Sequence, residues 1–237
     1  YEKKFSKNSQ IKPSIKQINK AIKSLDPKIK RAIDFAYKRI LKFHSLQKTT
    51  DIFYKDNLNN KIEYKYLPIQ SVGIYVPANL PSTLLMNAIL AKKIAGVKRV
   101  VLANPRLNGK LNPAVMYAAK KCGISEVITV GGSQAIASLA YIQKVNKIVG
   151  PGNDYVARAK KEVFGDVGIE AMVAGPSEIT VVVDKNTNVR EALTSLIGQA
   201  EHDTNSQCIL IVNNNNFIKS LKKDLNDELN KIPRKDI

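Results

Sequence analysis

Hydrophobic side chains recur at steps of three and four residues through residues 10 to 48, which is the period of an amphipathic helix. One run extends from Ile11 to Leu25 and a second from Ile29 to Leu41. Between them, Asp26 is a good N-cap and Pro27 suits the first position of a new helix. The pattern therefore predicts a helical hairpin.

After residue 50 the spacing of the hydrophobic side chains changes. Residues 50 to 69 alternate between apolar and polar side chains, which predicts an exposed hairpin or edge strand. Beyond them, short apolar strands alternate with helices across short loops, and this order specifies a parallel sheet with right-handed crossovers. The predicted strands are 72–76, 97–103, 126–130, 147–149, 179–183 and 208–212, and the predicted helices are 82–95, 113–122, 133–141, 154–164, 189–200 and one through residue 229. The fold class is α/β, with Rossmann-like parallel sheets and flanking helices.

Composition supports a folded protein with a real core, because 44% of the 237 residues are hydrophobic. The apolar runs are far shorter than the roughly 20 residues that cross a bilayer, and no signal peptide opens the chain. We expect a soluble cytoplasmic protein without a membrane partner. Cys122 and Cys208 are interpreted as reduced, buried structural thiols, since their spacing fits neither a redox pair nor a thiolate metal cluster.

A net charge of +18 raises the possibility of nucleic-acid binding, because clustered lysines and arginines gain affinity by releasing counterions from phosphates. The lysines are instead spread over the helical segments 12–42 and 214–235, where they alternate with apolar positions. Aromatic residues are not interleaved with them, and no zinc finger, homeodomain or RNA-binding signature is present. Solvated helix faces are the favoured interpretation, and a basic nucleic-acid-binding domain is the alternative from another class.

Three glycine turns are candidate ligand sites, because open parallel sheets bind ligands where loops meet helix N-termini. They are Gly131-Gly132-Ser133-Gln134, Gly150-Pro151-Gly152-Asn153 and Gly175-Pro176-Ser177-Glu178. Each combines glycine, which lets the backbone approach a ligand, with a polar side chain. Taken singly, each is a weak signal that a ligand-free turn explains better, but three at one sheet edge are stronger evidence for a ligand site. The G-x-G-x-x-G fingerprint and the P-loop pattern are absent, so a nucleotide would be held in a less standard way.

A candidate metal pair lies in the segment Gln199-Ala200-Glu201-His202-Asp203. If the preceding helix continues, Gln199 and His202 share one face and can converge on a zinc ion. The alternative is an ordinary helix end, where His202 meets the negative end of the helix dipole. His44, in the N-terminal helical region, is interpreted as structural, so these residues alone do not complete a tetrahedral zinc site.

Motifs along the chain resemble those of histidinol dehydrogenases, in the order expected of that family. They are Gly73-Ile74-Tyr75-Val76-Pro77, Leu85-Met86-Asn87-Ala88, Ala95-Gly96-Val97, Val130-Gly131-Gly132-Ser133-Gln134-Ala135-Ile136-Ala137, Lys147-Ile148-Val149-Gly150-Pro151-Gly152-Asn153, Ala174-Gly175-Pro176-Ser177-Glu178 and Gln199-Ala200-Glu201-His202-Asp203. The resemblance extends over the whole chain and is highly specific.

The resemblance implies NAD-dependent oxidation of L-histidinol to L-histidine through an enzyme-held aldehyde, in the last steps of histidine biosynthesis. In the family, zinc positions the substrate through its imidazole and amino nitrogens. Matched motif by motif, the zinc ligands are Gln199 and His202, which also face the substrate together with Ser177. The NAD contacts are Tyr75, Gln134 and Asn153. A related zinc/NAD dehydrogenase of another amino alcohol or a diol is the nearest alternative function.

The family pattern also implies what lies outside these residues. Its paired Glu-His, the general acid/base, is expected beyond Ile237, so we expect no catalytic residue in this chain and no activity from it alone. Further zinc ligands are expected downstream, one of them from the partner subunit of a homodimer. The loop Pro77 to Ser82 is shorter than usual, which puts its contribution to NAD binding in doubt.

The resemblance further implies two interleaved α/β domains. Residues 1–71 form the hairpin, the edge strands and the first part of domain 1, residues 72–178 form an inserted domain 2 with the cofactor loops, and residues 179–237 form the second part of domain 1.

Overall fold

The computed structural model describes residues 4, 8, 10–77, 79–170, 178–201 and 206–231. Contacts divide the chain into two compact units, Tyr1–Ala174 and Gly175–Ile237. The interleaved domains with boundaries after residues 71 and 178 stay a prediction.

Helices and strands occur in the predicted order. The described α-helices are α1 (Ile15–Lys23), α2 (Pro27–His44), α3 (Pro81–Ile89), α4 (Pro113–Cys122), α5 (Gly132–Ala137), α6 (Asp154–Glu162), α7 (Val189–Ala200) and α8 (Asn215–Leu229). The described strands are β1 (Ile52–Lys55), β2 (Lys61–Tyr64), β3 (Ser71–Tyr75), β4 (Arg99–Ala103), β5 (Glu126–Ile128), β6 (Lys147–Val149), β7 (Gly168–Ile169), β8 (Glu178–Val182) and β9 (Gln207–Ile211). The α/β class is confirmed.

The helical hairpin is confirmed, and local capping explains its boundaries. The Ser14 hydroxyl accepts a hydrogen bond from the Gln17 amide, while the Gln17 side chain accepts one from the Ser14 amide. This reciprocal capping box begins α1. Asp26 Oδ1 accepts from the Lys28 amide at 2.6 Å and, with Pro27, begins α2. The apolar face of the hairpin packs on the core formed by β3, β4, α3 and α4.

A half-buried carboxylate ties α2 to α4. Asp34 Oδ1 accepts hydrogen bonds from the Lys121 ammonium at 2.6 Å and from the Tyr117 hydroxyl at 2.8 Å. The hydrogen bond from Lys121 is the main reason that the pKa of Asp34 is lowered from its ordinary value. Because the folded state favours the charged carboxylate, this contact stabilises the fold at neutral pH.

We expect Asp34→Asn to lower the free energy of unfolding by roughly 1 kcal/mol at pH 7, as for a partly buried charged hydrogen bond. A depressed pKa stabilises the fold above the ordinary value of 3.8, and this stabilisation is lost as the pH falls through the folded value. The difference between the two proteins should therefore shrink on acidification below about pH 4. Urea unfolding at pH values above and below 4 measures this difference in the free energy of unfolding, with the exposed Asp227→Asn as control. A difference that does not change with pH would contradict the role given to the Asp34 carboxylate.

The main sheet is parallel and has the strand order β5-β4-β3-β6-β7. The chain enters the sheet at its central strand, builds β4 and β5 on one side, and then crosses to build β6 and β7 on the other. Every residue of β3 is buried. One face of the sheet packs against α3, α4 and the helical hairpin, and the other packs against α5 and α6.

Most predicted bounds differ from the structure by one or two residues, and three larger differences occur. Two segments predicted as continuous helices change to π-helical turns, at Leu90–Ile94 after α3 and at Ser138–Ile142 after α5. Strand β7 was not predicted, because two residues are too few to show a period. The exposed hairpin is confirmed as the antiparallel pair of β1 and β2.

The second unit contains the parallel pair β8 and β9, with α7 and α8 packed on one face. Its core includes Val183, Leu193 and Phe217. Among the described residues of the chain, no helix is both long and apolar enough to cross a membrane.

The two cysteines differ in environment. Cys122 is buried in α4 as predicted, and burial raises the pKa of its thiol to about 11. Cys208 is exposed, so the prediction that it is buried is wrong. Its thiol donates to the carbonyl of Leu196 at 3.2 Å. The apolar run around it indicated a strand, but a run of this kind does not determine which positions become covered.

Candidate functional site

The strand order places a topological switch point at the carboxyl edge of the sheet, between β3 and β6. The connections from β3 and β6 leave toward opposite sides, since β3 leads to β4 and β6 leads to β7. Loops that diverge in this way open a space between adjacent strand ends, where ligands of open α/β sheets bind. The loops after β3, β5 and β6 carry the predicted cofactor residues.

Tyr75 is the meeting point of these loops. It is the last residue of β3, and its side chain lies in the core beside α5 and α6 with 5% of its surface exposed. Its hydroxyl accepts a hydrogen bond at 3.3 Å from the amide of Gly132, the first residue of α5. Its carbonyl lies against Gly150, where an added Cβ would be 2.0 Å from the oxygen. The two other predicted cofactor loops, after β5 and β6, therefore both contact Tyr75.

The turn from Gly150 to Asn153 is closely packed. Gly150 is buried and has φ +115°, a conformation that side chains disfavour. At Gly152 an added Cβ would be 2.3 Å from Val156 Cγ1. Asn153 is exposed at the end of the turn, and its Oδ1 accepts from the Val156 amide at 3.2 Å, which caps α6. Packing of the turn thus fixes where the exposed Asn153 lies, between the end of β6 and the start of α6.

Gln134 lies in the first turn of α5 and is half-buried. It lines a groove of about 450 Å³ together with Tyr155 and Arg158 of α6. The groove lies between α5 and α6, two helices that contact each other and begin at two of the predicted cofactor loops. Gln134 lies at the start of α5 and Asn153 at the start of α6.

Two residues that the sequence analysis missed support the Gly150 turn. Lys160 is 8% exposed, and its ammonium donates to the Gly150 carbonyl and to Glu170 Oε1. The same Glu170 oxygen accepts from the Gly150 amide at 2.7 Å. The sequence holds one indication that Lys160 is buried. Lys160 follows the buried Val156 by four residues, so the two side chains lie on the same face of α6.

Of the predicted substrate and metal residues, the structure describes Gln199. It lies in the last turn of α7 and is half-buried, and its Nε2 donates to Ser206 Oγ at 3.5 Å. Ser177, His202 and the turn from Gly175 to Ser177 lie outside the described residues. Within the described ranges, no cluster of three or more His, Cys, Asp or Glu side chains could hold a metal ion. His44 is buried, and its Nδ1 hydrogen-bonds Gln47 Oε1.

A sequence model of the histidinol dehydrogenase family matches residues 1–237, the full length of the chain. The chain belongs to the histidinol dehydrogenase family. It is 60% identical to the histidinol dehydrogenase of Pelagibacter ubique, over 99% of this chain and 56% of that protein. The crystal structure of histidinol dehydrogenase from Elizabethkingia anophelis superposes with a TM-score of 0.92 at 35% identity, again over 99% of this chain and 56% of the other.

More distant likeness concerns the fold alone. A putative aldehyde dehydrogenase from Anabaena variabilis superposes with a TM-score of 0.56 at 12% identity, over 94% of this chain and 53% of the other. The chain spans about half the length of the curated histidinol dehydrogenases that it matches. Membership of a dehydrogenase family indicates a nicotinamide cofactor.

Proposed function

We propose that this chain provides the cofactor-binding sheet and two zinc ligands of an NAD-dependent histidinol dehydrogenase, which oxidises L-histidinol to L-histidine in two hydride transfers. The observation that carries this proposal is the convergence of the loops after β5 and β6 on Tyr75, at the topological switch point of a sheet whose family is established. Two NAD molecules, bound in turn, would supply the oxidising power for the two steps, one for the carbinol and one for the aldehyde after water has added to it.

The described residues suit a dinucleotide. The hydroxyl of buried Tyr75 binds the first amide of α5, Gln134 places an amide side chain in the groove beside α6, and Asn153 places another at the start of α6. Neutral amide groups and helix N-termini can hydrogen-bond phosphate and ribose oxygens without a G-x-G-x-x-G loop. We assign Tyr75, Gln134 and Asn153 as NAD contacts on this basis.

Zinc, when bound, would hold the substrate through its nitrogen atoms. An amide oxygen and an imidazole nitrogen are acceptable zinc donors, so Gln199 and His202 are the ligands that this chain would provide. Two donors do not fill a zinc shell, and the remaining ligands would come from the second part of the protein and from the partner subunit of a homodimer. Ser177 would contact the substrate. The acid/base pair is proposed to lie in that same second part, and the protein is proposed to be cytoplasmic.

Titration of the chain with NAD tests the cofactor assignment. We expect Asn153→Asp to weaken NAD binding by about tenfold, because a carboxylate replaces the donor amide beside an anionic ligand while its oxygen still caps α6. Asn188→Asp is the matched control, since Asn188 caps α7 in the other unit through the Arg190 amide. Equal NAD affinity of the two variants would refute the role of Asn153.

A further inference from the structure

A partly buried ion pair holds the Gly150 turn by its backbone. Lys160 Nζ lies 2.6 Å from Glu170 Oε1, and the side chains are 10% and 34% exposed. Lys160 also donates to the Gly150 carbonyl, and Glu170 accepts from the Gly150 amide. Both polar groups of Gly150 are thus bound by one ion pair.

The location of this pair argues against a role in stability alone. Removing two charges from water offsets most of their attraction, so a buried pair adds little net stability compared with apolar side chains of similar size. A buried lysine is rare unless it is paired. Here the pair fixes a backbone conformation with φ +115°, at the turn that leads directly to Asn153.

Steric contact completes the support of the turn. The Tyr75 carbonyl blocks Gly150 on one side, while Lys160 and Glu170 bind its carbonyl and amide groups. Lys160 belongs to α6, which Asn153 caps, so the start of the helix and its second turn are both anchored to the same short loop. Movement of Gly150 would therefore displace the cap and the side chain of Asn153.

We propose that Lys160 and Glu170 are positioning residues for NAD, which act by holding the Gly150 turn and through it Asn153. The proposal rests on the proposed function, because it assumes that Asn153 contacts the cofactor. Neither residue needs to touch NAD.

Three variants of the chain test it by NAD titration, urea unfolding and hydrogen exchange of the segment 150–157. Lys160→Met removes the donor to the Gly150 carbonyl but leaves Glu170 charged. Lys160→Met/Glu170→Gln removes both charges and keeps an acceptor for the Gly150 amide. Lys161→Met removes the neighbouring, exposed lysine as a matched control.

We expect Lys160→Met and the double variant each to bind NAD about tenfold more weakly than the unsubstituted chain. The backbone amides of residues 150–157 should also exchange their hydrogens faster in both. Lys161→Met should change neither NAD affinity nor hydrogen exchange. The double variant should unfold at nearly the same urea concentration as the unsubstituted chain, since it buries no uncompensated charge. Full NAD affinity in the double variant would overturn the proposal. If the unsubstituted chain bound no NAD, the proposed function would fail, and the exchange rates alone would decide whether the pair holds the turn.

Discussion

Replacement of Gly150 by alanine is expected to abolish measurable NAD binding and to lower the free energy of unfolding by about 3 kcal/mol or more. The new Cβ would lie 2.0 Å from the Tyr75 oxygen, 3.0 Å from its carbonyl carbon and 3.1 Å from its nitrogen. All three are backbone atoms of the central strand, so the clash cannot be relieved by rotating a side chain. Either β3 or the turn must move, and both carry proposed NAD contacts, Tyr75 and Asn153.

Gly165→Ala is the matched control for this experiment. Gly165 also has a positive φ, +102°, but an added Cβ there would meet nothing within 4 Å. Gly165→Ala should therefore lower the free energy of unfolding only by the backbone strain, about 1 kcal/mol, and leave NAD binding intact. Urea unfolding and NAD titration of both variants measure the two effects. Similar losses at both glycines would show that steric contact with Tyr75 does not set the conformation of the turn.

The second large effect is expected at His202 in the complete enzyme. His202→Ala should reduce the zinc content by at least about tenfold and abolish oxidation of histidinol, because an alanine leaves one position of the zinc shell without a donor. Metal analysis after dialysis measures the zinc independently of activity.

His44→Gln is the control, since His44 is the other histidine of the chain and is buried beside Gln47. The His44→Gln enzyme should retain its zinc even if the substitution lowers the free energy of unfolding. Zinc content that is unchanged in His202→Ala would refute the ligand assignment, whatever happens to the activity.

Local signals in the sequence predicted much of the fold. The predicted helix 113–122 has the bounds of α4, where Asn112 caps the start and Gly123 follows the end with φ +76°. Such boundaries are predictable because the cap and the left-handed residue act within a few positions of the chain. The π-helical turns carry no such signal, since a change in hydrogen-bond register after α3 and α5 depends on how each helix packs.

The candidate site was only partly predictable for a similar reason. Glycine turns indicated the loops, but the sequence could not show that Tyr75 contacts two of them. The sequence analysis did not single out Lys160, and its burial depends on Glu170, ten residues away along the chain and beyond its helix. Pairing of this kind is set by the return of the chain through β7, a strand too short to predict.

The central claim is that these residues belong to an enzyme that oxidises histidinol with NAD. It is tested most directly by joining this chain to the remaining part of the Pelagibacter ubique histidinol dehydrogenase, the 60% identical relative. Formation of NADH is then followed with histidinol, with other amino alcohols and with diols. The intact relative serves as the positive control, and circular dichroism and zinc content verify that the joined protein is folded and metal-loaded.

The account predicts NADH formation that depends on histidinol, proceeds to histidine with two NADH per substrate, and is lost in the joined protein carrying His202→Ala. The 237-residue chain alone is expected to give none. A folded, zinc-containing joined protein that forms no NADH from histidinol, or that prefers another amino alcohol or a diol, would contradict it.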